Sequence, residues 1–295
     1  MSELVVTIDM DGPGVYAGLH GFEPPAVDAT TLYEAPLERF VELCQSLGGH
    51  GTVFVVARDV NARVAARLRG LEIFGDEVAC HSLSHDHRLS TRDAGSIRAE
   101  LEECKRVLAE ATGRAPVGFR APGYQRSATL TQALNEAGFA YDSSLLASPL
   151  YEATKRAVLG VYERLGKPSS SQPAAWDEIR TAPRVQREGA LVQLPIALSR
   201  ALRVPLTGGV LALAPALAMK PLVRWVVPAD VVVVNFHALD FASRRELGWP
   251  RELTRRIAEL HIPLFVRMAR YRAALAALAR GRDVVPAREA ARRAS

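Results

Sequence analysis

Asp9 and Asp11 stand one residue apart at the end of an apolar run, Leu4–Ile8, and His81 and His85 follow a second such run, Glu77–Cys80. Two carboxylates at that spacing can divide the work, one gripping a metal and one moving a proton. Two histidines four residues apart lie on one face of a helical turn and can share an ion. One aspartate with two histidines makes three protein ligands and leaves coordination open, as a hydrolytic metal site requires and a closed structural site does not. Neither motif is specific alone: a D-x-D after a strand also serves as a cap or turn. Their order along the chain carries the weight.

Polar residues of catalytic type recur just after short apolar runs. Thr52–Val56 and Val117–Phe119 are two further runs; Arg120 follows the second, and His237 follows a later one, Val231–Phe236. Chemistry repeated at the carboxyl ends of successive buried strands is the pattern of an α/β barrel or an open parallel sheet.

The ordered set Thr7-Ile8-Asp9-Met10-Asp11-Gly12, His81-Ser82-Leu83-Ser84-His85, Phe119-Arg120-Ala121-Pro122-Gly123-Tyr124 and Asn235-Phe236-His237 resembles the polysaccharide deacetylases with a NodB homology domain. The resemblance covers about residues 4–145 and the strand before His237. The D-x-D form, with Met10 between the aspartates, is similar to the allantoinase-like and intracellular peptidoglycan-deacetylase-like branch. Gly123 intervenes between Pro122 and Tyr124, where the family has Tyr directly after Pro. No D-x-x-x-W motif is present; Trp176-Asp177 has the residue types in reverse order.

The resemblance implies a distorted (β/α) barrel of the NodB type. It implies a divalent ion on Asp11, His81 and His85, with Zn²⁺ expected and Co²⁺ or Ni²⁺ also suited to such ligands. Asp9 becomes the general base, paired with Arg120, and His237 the general acid, a residue that titrates near neutrality. A backbone N–H of Tyr124 or Gly123 is the candidate oxyanion donor. His20, in the first long loop, is a candidate substrate contact, whereas Asp86 and His87 read as solvent-facing. The implied substrate is an acetylated amino sugar or glycoconjugate, lipid-linked forms included. The rivals are an amide hydrolase for a small cyclic ureide or imide, and a non-catalytic carbohydrate-binding relic.

The elements that must position these residues alternate. Helical patterns lie over Leu37–Leu47, Asn61–Leu68, a stretch capped by Ser90 or Thr91 and closed by Gly113, and Leu130–Ala137. Ala140–Asp142 opens a fifth strand and Leu191–Pro195 reads as a sixth. Gly12–Thr31 reads as a long loop and Arg251–Arg280 as one helix. Residues 1–280 are expected to form a single domain, with a variable insert at about 146–190 and an apolar segment at 204–227. Residues 281–295 are expected to be a frayed basic tail.

The chain has 295 residues, of which 48% are hydrophobic, enough for one well-buried α/β domain. No basic leader precedes the first strand, so a cytoplasmic enzyme, acting in solution or at the inner membrane face, is expected. Cys44, Cys80 and Cys104 sit in apolar patterns without paired spacing and read as reduced core residues, with Cys80 pointing away from its neighbour His81. The net charge of +5 gathers towards the C-terminus; a solvated Arg-rich surface is the simplest reading, and no basic–aromatic interleaving suggests nucleic acid. The oligomeric state is not legible. The segment 204–227 is too broken by proline and glycine to span a bilayer, yet Arg200, Arg203, Lys220 and Arg224 around its apolar residues suit peripheral membrane association.

Overall fold

The computed structural model describes residues 2–25, 28–167, 169–174 and 179–294. Trp176-Asp177 lies outside the described residues. Strands β1 (Glu3–Asp9), β2 (Thr52–Val55), β3 (Glu77–Cys80), β4 (Gly118–Phe119), β5 (Tyr141–Asp142), β7 (Leu191–Gln193) and β10 (Val231–His237) are the parallel members of one sheet. They lie in the order β10-β1-β2-β3-β4-β5-β7, and β6 (Gln186–Glu188) adds an antiparallel edge. The sheet curls until the chain beyond β7 meets β10 again at the parallel bridges Ile196↔Val233 and Thr207↔Asn235. This is the expected distorted (β/α) barrel.

Helices α2 (Ala35–Ser46), α3 (Ala62–Phe74), α4 (Ala94–Thr112) and α5 (Ala128–Glu136) cover the outside. Alternation along β1 explains the layering. Leu4, Val6, Ile8 and Met10 face the helices and join the outer core. Val5 points inward, where it meets Phe54, Ala79, Tyr141, Val192, Ile196 and Val233. Asp9 and Asp11 flank outward-facing Met10, so the D-x-D spacing is the spacing that puts both carboxylates on the inner face.

Several expectations need correction. Pro13–His20 forms a helix, α1, opened by proline at its start and closed by Gly21 in the left-handed conformation, where a loop was expected. Asp93, not Ser90 or Thr91, caps α4 by accepting from the Ser96 N–H; a short 3-10 turn occupies Leu89–Thr91. Arg251–Arg280 is broken into Arg251–Thr254, a 3-10 turn at Ala258–His261, and Leu264–Leu278, which begins directly after Pro263. Proline resists the helix interior but suits a helix start. The insert contains helix α6, Pro149–Arg164.

Cys80 and Cys104 are disulfide-bonded, with Cα atoms 6.6 Å apart, and only Cys44 is free. Alternation does point Cys80 away from His81, but into α4, whose inner face carries Cys104. Packing of helix on strand, rather than sequence spacing, brings the pair together.

The C-terminal tail is folded, not frayed. Strand β11 (Asp283–Val284) pairs with β1, and the helix Ala287–Arg293 buries Ala287, Ala290 and Ala291 under the amino-terminal end of the barrel. The Ala287 N–H donates to Thr52 Oγ1 at 2.8 Å and the Arg288 N–H to Glu77 Oε2 at 2.7 Å. The Thr52 hydroxyl and the Tyr141 hydroxyl each add a 3.0 Å bond to Glu77. The Arg288 guanidinium reaches Glu72 at 2.8 Å. Small alanines let the helix approach; the polar backbone at its start finds partners inside the barrel floor.

Burial pushes the Glu77 carboxyl from its ordinary value of 4.5 up to about 7, although its hydrogen bonds and Arg288 pull the other way. A carboxyl whose pKa is raised by folding favours the protonated folded state. Its contribution to stability is therefore greatest below pH 4.5, falls as the pH rises from 4.5 towards 7, and then levels off. Thermal unfolding followed across pH 4 to 8 (roughly the span of this titration) is expected to show this decline in the wild type. Glu77→Gln is expected to flatten it. An equal decline in both proteins would remove Glu77 as its source.

Candidate metal and acid–base site

The chemistry-bearing residues converge above the apolar barrel interior. Register pairs Asp9 with His237 and Thr7 with Asn235 across β1 and β10, and Asp9 with Phe54 across β1 and β2. Cys80 pairs with Phe119, which brings His81 beside Arg120. Six sequence candidates, Asp9, Asp11, His81, His85, Arg120 and His237, thus meet at the carboxyl ends of β10, β1, β3 and β4, with β2 between the two pairs.

Asp11, His81 and His85 form the metal-binding geometry. Their ligand atoms all lie within 4.8 Å of one another, and all three residues are buried. His81 Nε2 lies 3.3 Å and His85 Nε2 3.1 Å from Asp11 Oδ1. His81 Nδ1 is 2.8 Å from the Arg120 carbonyl, which orients the ring and leaves Nε2 facing Asp11. Asp11 Oδ1 and His85 Nε2 are buried without a hydrogen-bond partner. Buried polar atoms are normally satisfied, so converging orphan donors of nitrogen and oxygen fit a divalent ion. Burial opposes ionisation of Asp11, but the close approach of His85 and His81 overcomes it and holds the carboxyl well below its usual range.

The histidines do not occupy a helical turn. Ser82 and His85 take positive φ, 65° and 55°, in a tight loop in which the Ser82 hydroxyl accepts the His85 N–H at 2.9 Å. Four-residue spacing brings the rings together through this loop, not through helical periodicity.

Asp9 sits in a separate polar cage. Arg120 Nη1 donates to Asp9 Oδ1 at 2.7 Å, and Asn235 Nδ2 donates to Asp9 Oδ2 at 2.8 Å. Arg120 is wholly buried and uses every side of its guanidinium. It donates to Thr7 Oγ1, Asn235 Oδ1, Ser143 Oγ and the Ser143 carbonyl, and it stacks 4.0 Å above the Phe54 ring. Asp9 and Asp11 therefore differ in kind: one is saturated by fixed donors, the other is aimed at two imidazoles. His237, partly exposed, reaches towards both, with Nε2 3.8 Å from Asp9 Oδ2 and 3.7 Å from Asp11 Oδ2.

The remaining candidates separate. The Tyr124 N–H is taken by the Ala121 carbonyl at 3.0 Å, so Gly123 is left as the backbone oxyanion candidate. Gly123 takes φ 60°, and a Cβ there would lie 2.5 Å from His87 Nδ1. Tyr124 contributes instead through its hydroxyl, which accepts from Asn235 Nδ2 at 2.7 Å. His20 is held 3.0 Å from the Tyr162 hydroxyl on α6 and has no contact with the cluster among the described residues.

Other neighbours were missed by sequence reasoning. Asn235 bridges Asp9, Arg120, Thr7 and Tyr124; its signal was a polar residue inside an otherwise apolar strand. His87, read as solvent-facing, is buried against His85 with ring centroids 4.9 Å apart. Burial first, and the charge of His85 second, pull its pKa down to about 3. Asp59 lies against Gly12, and burial raises its carboxyl to about 6. Asp240 accepts the His237 N–H at 2.8 Å, and burial likewise raises it to about 6.

Residues 28–141 match the family model for polysaccharide deacetylase. No curated protein matches the chain. Among solved structures, a Mycobacterium smegmatis protein described as a polysaccharide deacetylase superposes with a TM-score of 0.61 at 19% identity, covering 99% of this chain and 90% of that one. That likeness establishes the shared fold. A family 4 carbohydrate esterase from Streptomyces lividans, in complex with acetate, overlaps more loosely, with a TM-score of 0.47 at 16% identity over 97% of this chain and 98% of that one. The matched segment is thus similar to polysaccharide deacetylases, and the curled parallel barrel is of the NodB type.

Proposed function

We propose that this protein is a metal-dependent deacetylase that removes an acetyl, or similarly small acyl, group from an amino sugar or glycoconjugate. The observation that carries the proposal is the pairing of two distinct carboxylates: Asp11 converges with His81 and His85 on one point, while Asp9 is fixed separately by Arg120 and Asn235. A binding relic has no need for both.

Asp11, His81 and His85 would hold the ion, and the nitrogen and oxygen donors suit Zn²⁺, with Co²⁺ or Ni²⁺ as alternatives. When bound, such an ion supplies Lewis acidity and lowers the pKa of water. Asp9 then accepts the proton from the attacking water. Arg120 keeps Asp9 aimed, and Asn235 holds its second oxygen against rotation. A Gly123 N–H faces the oxygen that gains charge. His237, the exposed member of the cluster, delivers a proton to the departing amine. We place the reaction at a cytoplasmic or membrane-proximal site, although the Cys80–Cys104 disulfide weighs towards a more oxidising setting.

Acetate release from a panel of N-acetylated sugars, nucleotide sugars and lipid-linked sugars tests the activity. Elemental analysis is expected to find about one divalent ion per chain, and its removal is expected to abolish turnover while leaving the fold intact. Asp11→Asn is expected to lose the ion. Asp9→Asn is expected to keep it and lose about 10²-fold or more in kcat. Equal metal loss in both variants would overturn the division of roles.

Asn235→Leu leaves Arg120, Asp9 and Tyr124 each short of a buried partner. Metal content is expected to stay unchanged while kcat falls about tenfold or more, the rate equivalent of one unsatisfied buried group. Wild-type turnover in that variant would show that Asn235 does not position the base.

A further inference from the structure

The apolar segment 204–227 divides into two parts that behave differently. Leu206, Leu211 and Ala212 are fully buried, and the helix Gly208–Leu213 begins so close to Asp240 that a Cβ on Gly208 would clash with that carboxylate. This part is core, tied to the loop that carries His237. The next helix, Ala216–Arg224, buries no residue completely. Met219 and Val223 lean on the core. Leu217, Lys220, Pro221 and Arg224 follow at helical spacing on the opposite, exposed face.

Large apolar side chains gather on this outer surface. Leu217 is 94% exposed, Leu202 70%, Trp225 57% and Leu213 48%. They belong together because the ribbon β8 (Leu198–Ser199) with β9 (Val226–Val227) joins the two stretches, and the Arg200 N–H donates to the Trp225 carbonyl at 2.9 Å. Ringing them are Arg200, Lys220 and Arg224, which form no ion pair with any described residue. The Arg224 guanidinium lies 4.8 Å from the Trp225 ring. Arg203, by contrast, is spent on the Thr181 carbonyl. Between Glu188 and Asp230 the chain has no acidic residue.

We infer that this surface docks onto an anionic lipid leaflet. Exposed leucines and a tryptophan at the rim of a short amphipathic helix are suited to the boundary between headgroups and acyl chains, and the unpaired cations match negative headgroups. A second copy of the chain would bring like charges together and is the poorer fit. No helix of the described residues is long and apolar enough to cross a membrane, so the contact is peripheral. Docking is independent of the chemistry at Asp9, and its test does not use activity.

Intact protein is sedimented with vesicles of phosphatidylcholine alone or mixed with phosphatidylglycerol. Binding is expected to the mixed vesicles and to weaken with salt. Leu217→Asp with Trp225→Asp is expected to abolish it; both side chains are exposed, so the unfolding temperature is expected to hold. Lys220→Glu or Arg224→Glu is expected to weaken it roughly fivefold for each cation removed. Failure to bind mixed vesicles overturns the inference, as does binding that ignores these substitutions. Concentration-dependent self-association without vesicle binding, abolished by Leu217→Asp, would also overturn it and assign the surface to a second copy.

Discussion

The buried pair of Arg120 and Asp9 is the constraint on which the rest of the site depends. A fully buried guanidinium is tolerated only when paired and hydrogen-bonded. Here one donor set reaches Asp9, Thr7 and Asn235, another reaches Ser143, and Phe54 covers the flat face. These partners come from β1, β2, β10 and the chain just after β5. Satisfying one arginine therefore holds the upper ends of the barrel strands at fixed separations. Removing one partner of such a buried pair costs about 3–5 kcal/mol, so the contact that fixes Asp9 also registers the strands. The same arginine also bears on the Asp11–His81–His85 cluster, since its carbonyl orients His81.

That dual role explains why Asp9 and Asp11 do not compete for the same work. Strand alternation gives both the same facing, with Met10 buried behind them. Their surroundings then separate them. Asp9 meets donors that are already committed, whereas Asp11 faces His85 Nε2, which lacks a hydrogen-bond partner, and His81 Nε2. A carboxylate saturated by fixed donors is a poor additional ligand but a well-aimed base.

Much of this was legible in the sequence because it depends on short, periodic signals. Leu4–Ile8, Glu77–Cys80 and Val231–Phe236 are apolar runs ended by charged or titratable residues, and each is a strand of the barrel. What was not legible depends on contacts between distant segments. The Cys80–Cys104 pairing needs α4 laid against β3. The order of the tail needs Thr52 and Glu77 beneath it, and a stretch of arginines and alanines does not announce them. His87 seemed exposed because its neighbours are polar, but the residue that covers it is Gly123, thirty-six positions on. The histidine pair was correctly matched to a shared ion geometry but wrongly to a helix, since positive φ at Ser82 and His85 leaves no hydropathy signature.

The left-handed turn at Gly123 and the burial of His87 form one feature. Gly123 takes the left-handed conformation in the turn between Pro122 and Tyr124, after β4. The space a side chain would fill there is occupied by His87 Nδ1. The Tyr124 hydroxyl, not its N–H, meets the Asp9 cage through Asn235. Asn235 in turn sits opposite Thr7 in the β1–β10 register. Gly123 thus packs against a histidine from the loop after β3, and Tyr124 bonds to a polar residue of β10. The third, second and final motifs are coupled through packing, although each reads as independent along the chain.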